Sequence, residues 1–312
     1  GVKPRKEDAM RTIWEMLEEH RKERGAAAAV RPVFQGVEGY DVYNPTAPFS
    51  YQGKTMICAR VEKRDSEVSQ AVFFEEREKD VYHAAEGWDR YDLQDPCITR
   101  VLGRYVLGGT EVFPHPEQPG RLCWRTVFYY GTDPAHMERL AEGPEGMKDV
   151  RLVELADGRV GIFTRPQGEK GGRGKIGFTI AEDFGGVTAA AMEDAPLLDL
   201  FGQEEWGGVN EVHLLPDGRL GVLGHIACFR PDEVRHYFPM AFVYDPAAGT
   251  YTMPRILAER KELLPGPSKR PDLEDVLFSG GIICRGDEAV LYVGVSDCEI
   301  QYVVVPNPFL GV

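Results

Sequence analysis

A chain of 312 residues, 43% of them apolar, is long enough for a buried core in one large domain or two small ones. Its net charge of −14 argues against a nucleic-acid backbone or an anionic membrane as the main partner, but leaves room for an anionic small substrate where basic residues cluster. The six cysteines (58, 97, 123, 228, 284 and 298) form no CxxC pair or zinc spacing and sit in apolar runs. No apolar run approaches the ~20 residues of a membrane helix and no signal-peptide pattern opens the sequence, so cytosol is the expected compartment.

Met10, Ile13, Trp14 and Leu17 fall at i, i+3, i+4 and i+7 within a charged stretch. That spacing predicts a helix across residues 6–24, with Gly25 as its stop. Beyond Pro32 the pattern changes. Aromatic and β-branched runs alternate with Gly, Asp and Pro clusters, and helical turns are expected only at 138–145 and 256–264. Residues 1–31 therefore read as a helical extension and 32–312 as one β domain.

The β region contains a repeat. Residues 153–165 resemble 213–225: each is a strand, an Asp-Gly turn (Asp157-Gly158, Asp217-Gly218) and a second strand. Looser copies surround Gly53, Gly103 and Gly286. Five hairpins, about 50–70 residues apart, predict an all-β five-bladed β-propeller with about four strands per blade, preceded by a short N-terminal α-helix. Seven residues after three of the turn glycines stand Arg60, Arg165 and His225, each ending an apolar strand. Equivalent positions in successive blades recur at similar radius and height, so these three should converge on a pocket near the axis.

Before the second hairpin, Asp95 abuts Pro96. Proline pushes the preceding residue out of the helical region, which predicts an extended Asp95 with a directed carboxylate. Alone, Asp-Pro only signals a turn. The run Gly171-Gly172-Arg173-Gly174 invites a phosphate-loop reading, but the Lys-Ser/Thr pair and the following helix are missing.

In order along the chain stand Asn44-Pro45, Gln94-Asp95-Pro96, Lys148-Asp149, Arg165-Pro166 and, near the end, Ser296-Asp297. This series resembles the five-bladed propellers of glycoside hydrolase family 130, the inverting β-mannoside phosphorylases. Longer strings, among them residues 161–168 and 172–177, Asn210-Glu211, residues 224–227 and 269–278, are more similar to glycosyltransferase family 108, first described only as a domain of unknown function. The likeness runs from about Pro32 to Phe309. It implies β-1,2-mannosyltransferase and phosphorylase activity on the reserve glycan mannogen. The implied partners are mannose 1-phosphate, phosphate, GDP-mannose and β-1,2-mannooligosaccharides.

Within that resemblance Asp95 matches the sole catalytic acid, acting on the bridging oxygen through a sugar hydroxyl. Asn44 and Asp297 match positions that hold sugar hydroxyls, and Lys148, Arg151, Arg165 and His225 are candidates for the donor phosphate. Asp149, Asn210, Glu211, Arg60 and Arg270 complete the substrate-binding candidates. Neither a cofactor nor a metal is implied: a DxD-type motif is lacking, and His213 with His225 has no third ligand. The chemistry is consistent. Inverting transfer needs one carboxyl on the leaving or acceptor oxygen and an attacking group on the opposite face. A hydrolase adds a second carboxylate to activate water, whereas phosphate needs only cations to hold it. One constrained acid with several cations favours phosphate chemistry.

There are departures. Gln94-Asp95-Pro96-Cys97 replaces the phosphorylases' Glu-Asp-Pro-Arg, with Arg100 or Arg104 as candidate substitutes. Asn210-Glu211 stands where those enzymes supply a phosphate-binding lysine. Two other readings stay open. An inverting β-mannosidase would use Glu211 or Asp149 as second carboxylate, and a non-catalytic carbohydrate-binding propeller would use the pocket without turnover.

Overall fold

All five expected hairpins are present, and each forms the axial part of one antiparallel sheet in a five-bladed propeller. The computed structural model describes residues 3–4, 10–23, 28–229 and 233–312. The first blade runs outward from Asp41–Tyr43 and Phe49–Tyr51 through Lys54–Glu62, Ser69–Glu78 and Val81–Ala84 to Val33–Gln35. The second comprises Gln94–Val101, Arg104–Pro114, Leu122–Gly131 and Glu138–Glu142. The third has three strands, Arg151–Glu154, Val160–Thr164 and Gly177–Ala181, one fewer than expected. Trp206–Leu214, Leu220–Cys228 and His236–Asp245 build the fourth, edged by Thr250–Tyr251 and, parallel to it, Lys3–Pro4. The fifth is Leu277–Arg285, Glu288–Val295 and Glu299–Pro306, closed by Ala29–Val30. The segment preceding Pro32 thus adds an edge strand to each of the last two blades, which covers hydrogen-bonding edges that would otherwise be exposed.

The axial turns close as their chemistry requires: Gly53, Gly103, Gly158, Gly218 and Gly286 all have φ between 61° and 87°. Strand interiors are continuous apolar runs because both faces of every blade are covered. Side chains on alternate faces pack against the preceding and the following blade, giving one core per blade junction. Ile57 and Phe74 pack with Ile300, Val160 and Ile162 with Phe128, and Val293 and Leu291 with Leu223. Each such fully buried side chain stabilises the fold by about 1.5–3 kcal/mol relative to exposure. All six cysteines are unbridged. Among the described residues, no helix is long and apolar enough to cross a membrane.

The N-terminal helix spans Ile13–Glu23, and the expected turns 6–9 and the stop at Gly25 lie outside the described residues. Thr12 sets its start: Thr12 Oγ1 accepts the Glu15 amide at 3.2 Å and bonds the Glu15 carboxylate, a signature the hydrophobic stripe does not show. Ile13, Met16 and Leu17 bury against the core between the third and fourth blades, while Met10 and Trp14 stay partly exposed. Arg21 clamps Glu259 with two bonds of 2.8 Å. Of the two expected helical turns, 256–264 contains a 3₁₀ turn, Arg260–Glu262. The other is corrected: Glu138–Glu142 is the edge strand of the second blade, because its backbone pairs with Leu122–Gly131.

Candidate active site

The site lies where the axial strands begin, and backbone geometry aims its side chains. Asn44, Asp95, Asp149 and Asp297 all have positive φ, at 48°, 51°, 61° and 55°. Asx residues tolerate this region best, at a cost of about 1–3 kcal/mol each. The expected extended Asp95 is therefore corrected to a left-handed one. Its cause is a bulge: Asp95 and Pro96 together oppose Gly109, between the pairs Gly108↔Cys97 and Thr110↔Gln94. Such a bulge re-aims a side chain. Asn44 needs a different concession: a Cβ on Gly294 would lie 1.8 Å from Asn44 Oδ1, so only glycine lets the amide seat there.

One half of the site is built around Asp95. Its Oδ1 accepts Asn44 Nδ2 at 2.7 Å and Arg60 Nη1 at 3.1 Å, while Oδ2 makes no hydrogen bond among the described residues. Arg60, 6% exposed, lies over the Tyr43 ring. Its Nε donates to Ser69 Oγ at 2.9 Å and to Glu62 Oε2 at 3.0 Å, and its Nη2 to Glu62 Oε2 at 2.8 Å. Glu62 is buried and also receives Tyr43 Oη, Ser69 Oγ and Lys269 Nζ. Burial pushes the Glu62 carboxyl up, but Arg60 and these donors outweigh it and hold it below the usual range. Asp297 nearby is pushed up to about 6 by burial, against the pull of Arg60.

The other half gathers cations. Arg165, Asp149 and His225 meet at Gly208, where an added Cβ would lie 3.2 Å from Arg165 Cγ, 3.5 Å from Asp149 Oδ2 and 3.1 Å from His225 Cε1. Arg165 Nε donates to Gly207 O at 3.1 Å, but its buried Nη1 has no partner. Lys148 Nζ makes no hydrogen bond or ion pair among the described residues. Burial, then Arg165, lower its pKa, against Asp149 and Asp95. His225 is brought down to about 3 by burial and is neutral; its Nδ1 pairs with Asn210 Oδ1 at 2.9 Å, leaving Asn210 Nδ2 buried and unpaired. Of the three residues expected to converge, Arg165 and His225 meet at Gly208, while Arg60 is bonded into the Asp95 half.

Arg151 has a different job. Its Nε donates to Asn210 O at 2.9 Å, its Nη1 to Val150 O at 3.2 Å, and its Nη2 lies 3.6 Å from Asp149 Oδ1. Asp149 is lowered because Arg151 and Arg165 outweigh its burial. Arg151 is thus a strut between blades. Glu211 faces away: the bulge at Asn210 turns it toward His213 and the amide of Ile282, which donates to Oε1 at 3.0 Å. Arg270 is a rim residue paired with Asp272, its side chain 48% exposed; the buried cation is its neighbour Lys269, at 5%. Arg100 and Arg104 do not replace the missing arginine. They lie at the far end of the hairpin, about 16 Å along the strand from Asp95 at ~3.3 Å per residue, resting on Tyr105 and Tyr130. Sequence reasoning missed Glu62, Tyr43 and Lys269, although Glu62 follows Arg60 by two and so shares its face.

One His/Cys/Glu cluster occurs among the described residues, His115, Cys123 and Glu145 on the second blade. It does not suit a metal, because His115 Nδ1 accepts the amides of Glu117 and Gln118, placing the neutral ring's proton on Nε2.

The family model "Protein of unknown function (DUF1861)" matches residues 18–311. No curated protein matches. Among solved structures, MPT-4, a mannose phosphorylase from Leishmania mexicana in complex with phosphate ion, is 34% identical with a TM-score of 0.88, over 95% of this chain and 93% of that one. MPT-1, a GDP-Man-dependent mannosyltransferase from the same organism, is 30% identical with a TM-score of 0.88 over 96% of each chain. A β-1,2-mannobiose phosphorylase from Listeria innocua shares the fold at 16% identity, with a TM-score of 0.64 over 86% of this chain and 91% of that one. The resemblance read from the motifs is borne out.

Proposed function

For a chain that belongs to the DUF1861 family, we propose inverting mannosyl transfer between a phosphate-bearing donor and β-1,2-mannooligosaccharides, reversible as phosphorolysis. Mannose 1-phosphate and GDP-mannose are the two donors to consider. The observation that carries this reading is an Asp95 carboxylate with Oδ1 held and Oδ2 free of hydrogen bonds among the described residues, beside two cations with unanswered donors, Lys148 Nζ and Arg165 Nη1. A buried guanidinium nitrogen and an ammonium without partners are costly unless an anion joins them.

In phosphorolysis a phosphate oxygen attacks C1 from the face opposite the glycosidic bond. The C1–O bond breaks, and the departing oxygen takes a proton that Asp95 supplies through a sugar hydroxyl. Synthesis is the reverse: the acceptor hydroxyl attacks C1, its proton passes to Asp95, and Lys148 and Arg165 hold the departing phosphate. Asn44 and Arg60 hold Oδ1, which leaves Oδ2 to carry the proton. A hydrolase is disfavoured because its candidate second acids are engaged, Asp149 with Arg151 and Glu211 with His213.

The test is transfer by wild type and Asp95→Asn, with mannobiose as acceptor and each donor in turn, following phosphate or GDP release. Wild type should make longer β-mannosides, and the variant should be slower by about 10²–10⁴-fold. Consumption of neither donor, with no phosphorolysis of β-1,2-oligomannoside, would leave a binding propeller.

A further inference from the structure

We propose that the anion pocket of Lys148 and Arg165 continues outward into a second anion position, made by Arg173 with Arg235, that holds the second phosphoryl group of a nucleoside diphosphate. The inference rests on the mannosyl-transfer reading and narrows its donor. It begins at Gly174. This residue has φ 155°, and a Cβ there would lie 2.3 Å from Arg165 Nε, so the loop backbone presses directly on the inner cation. Gly174 O accepts the Gly207 amide at 3.3 Å, and Gly207 O accepts Arg165 Nε. The residue before that glycine, Arg173, is therefore held next to the inner pocket, and Gln167 Nε2 fixes its carbonyl at 2.9 Å.

A wall of rings joins the two positions. His225 stacks on Tyr237 at 5.7 Å and 8° between planes, Tyr237 Oη accepts Trp206 Nε1 at 3.2 Å, and Trp206 packs on Phe229 at 4.8 Å. Arg173 lies over Phe229 at 4.5 Å and over Trp206 at 5.5 Å, and Arg235 lies over Phe229 at 5.3 Å. An arginine resting on a surface ring is common and by itself signals nothing. This one differs in two respects. In a chain of net charge −14 it has no carboxylate partner among the described residues, and the loop that carries it presses on Arg165 of the inner pocket through Gly174. Arg235 is steadied by Asp272 at 2.8 Å and supplies the second guanidinium. Planar guanidinium groups match phosphoryl oxygens in pairs, and a shelf of rings beyond them suits a nucleoside.

Calorimetric titration of the full chain with GDP, inorganic pyrophosphate and inorganic phosphate tests this without requiring turnover. GDP and pyrophosphate should each bind wild type at least tenfold tighter than phosphate. Arg173→Gln should shrink that gap below threefold and leave phosphate affinity unchanged, with Arg235→Gln acting in the same direction. The proposal is overturned if pyrophosphate binds no tighter than phosphate, if Arg173→Gln leaves the gap intact, or if it weakens phosphate equally. Lys148→Met reports on the inner pocket separately, by weakening all three anions together. Anion affinities untouched by Lys148→Met would sink the inner pocket, while the response to Arg173→Gln still decides the outer one.

Discussion

The two halves of the site are built on opposite principles. Around Asp95 the cations are answered: Arg60 is bonded to Glu62, Ser69 and Asp95, and Lys269 to Glu62, which also collects Tyr43 and Ser69. Around Lys148 the balance is deliberately incomplete, with Arg165 Nη1 and Asn210 Nδ2 buried and unpaired. A closed network fixes one geometry in advance, as an acid/base requires. An open one stores unfavourable electrostatics that a bound anion relieves. Under the proposed transfer, the contrast assigns the reacting proton to one half and the anionic leaving group to the other.

Breaking the closed half should have the largest effect. Glu62→Leu leaves Arg60 and Lys269 buried without their shared carboxylate, and should lower stability by about 3–5 kcal/mol in urea unfolding. A loss near zero would mean that Asp95 and Glu67, which lies 3.2 Å from Arg60 Nη2 and 3.0 Å from Lys269 Nζ, suffice to hold both cations.

The open half should respond in the opposite sense. Lys148→Met removes an unanswered cation and should raise stability by about 1 kcal/mol while weakening phosphate binding about 10–100-fold. Both measurements together sharpen the comparison, since a merely structural lysine would lose stability. The pH dependence follows from the lowered Lys148 pKa. The cation is present below that pKa and is lost as pH rises through it, so phosphate binding should fall at a lower pH than an ordinary lysine near 10.4 would give. Lys148→Met should abolish that limb.

The last effect is confined to one carboxyl, Asp297, which is pushed up to about 6. The folded state holds this proton more tightly than the unfolded chain, where the value is about 3.9. Ionisation therefore costs stability progressively from about pH 4 to 6, and the full cost persists above that. Asp297→Asn should match wild type near pH 3–4 and exceed it by up to about 3 kcal/mol at pH 7, measured by thermal unfolding. A constant difference across this range would assign the effect to packing.

Much of this was legible in the chain itself. The five turn glycines give the blade count, because a positive-φ turn between two apolar runs is a local property. The common offset of Arg165 and His225 from their turns brings them together at Gly208 for the same reason. Other features depended on the neighbours. Proline's local rule made Asp95 extended, but the bulge against Gly109 holds it left-handed, since pairing across the sheet outweighs a preference of a few kcal/mol. Lys269 and Arg270 are adjacent and chemically alike; only the position of Glu62, from another blade, decides which is buried. The sequence by itself determined the five axial hairpins, their turns and the repeat, because hydrophobic periodicity and turn chemistry act over a few residues. Ring closure by Ala29–Val30, the aim of the acids, and which cations stay unanswered were decided by tertiary structure, because each depends on groups brought together from different blades.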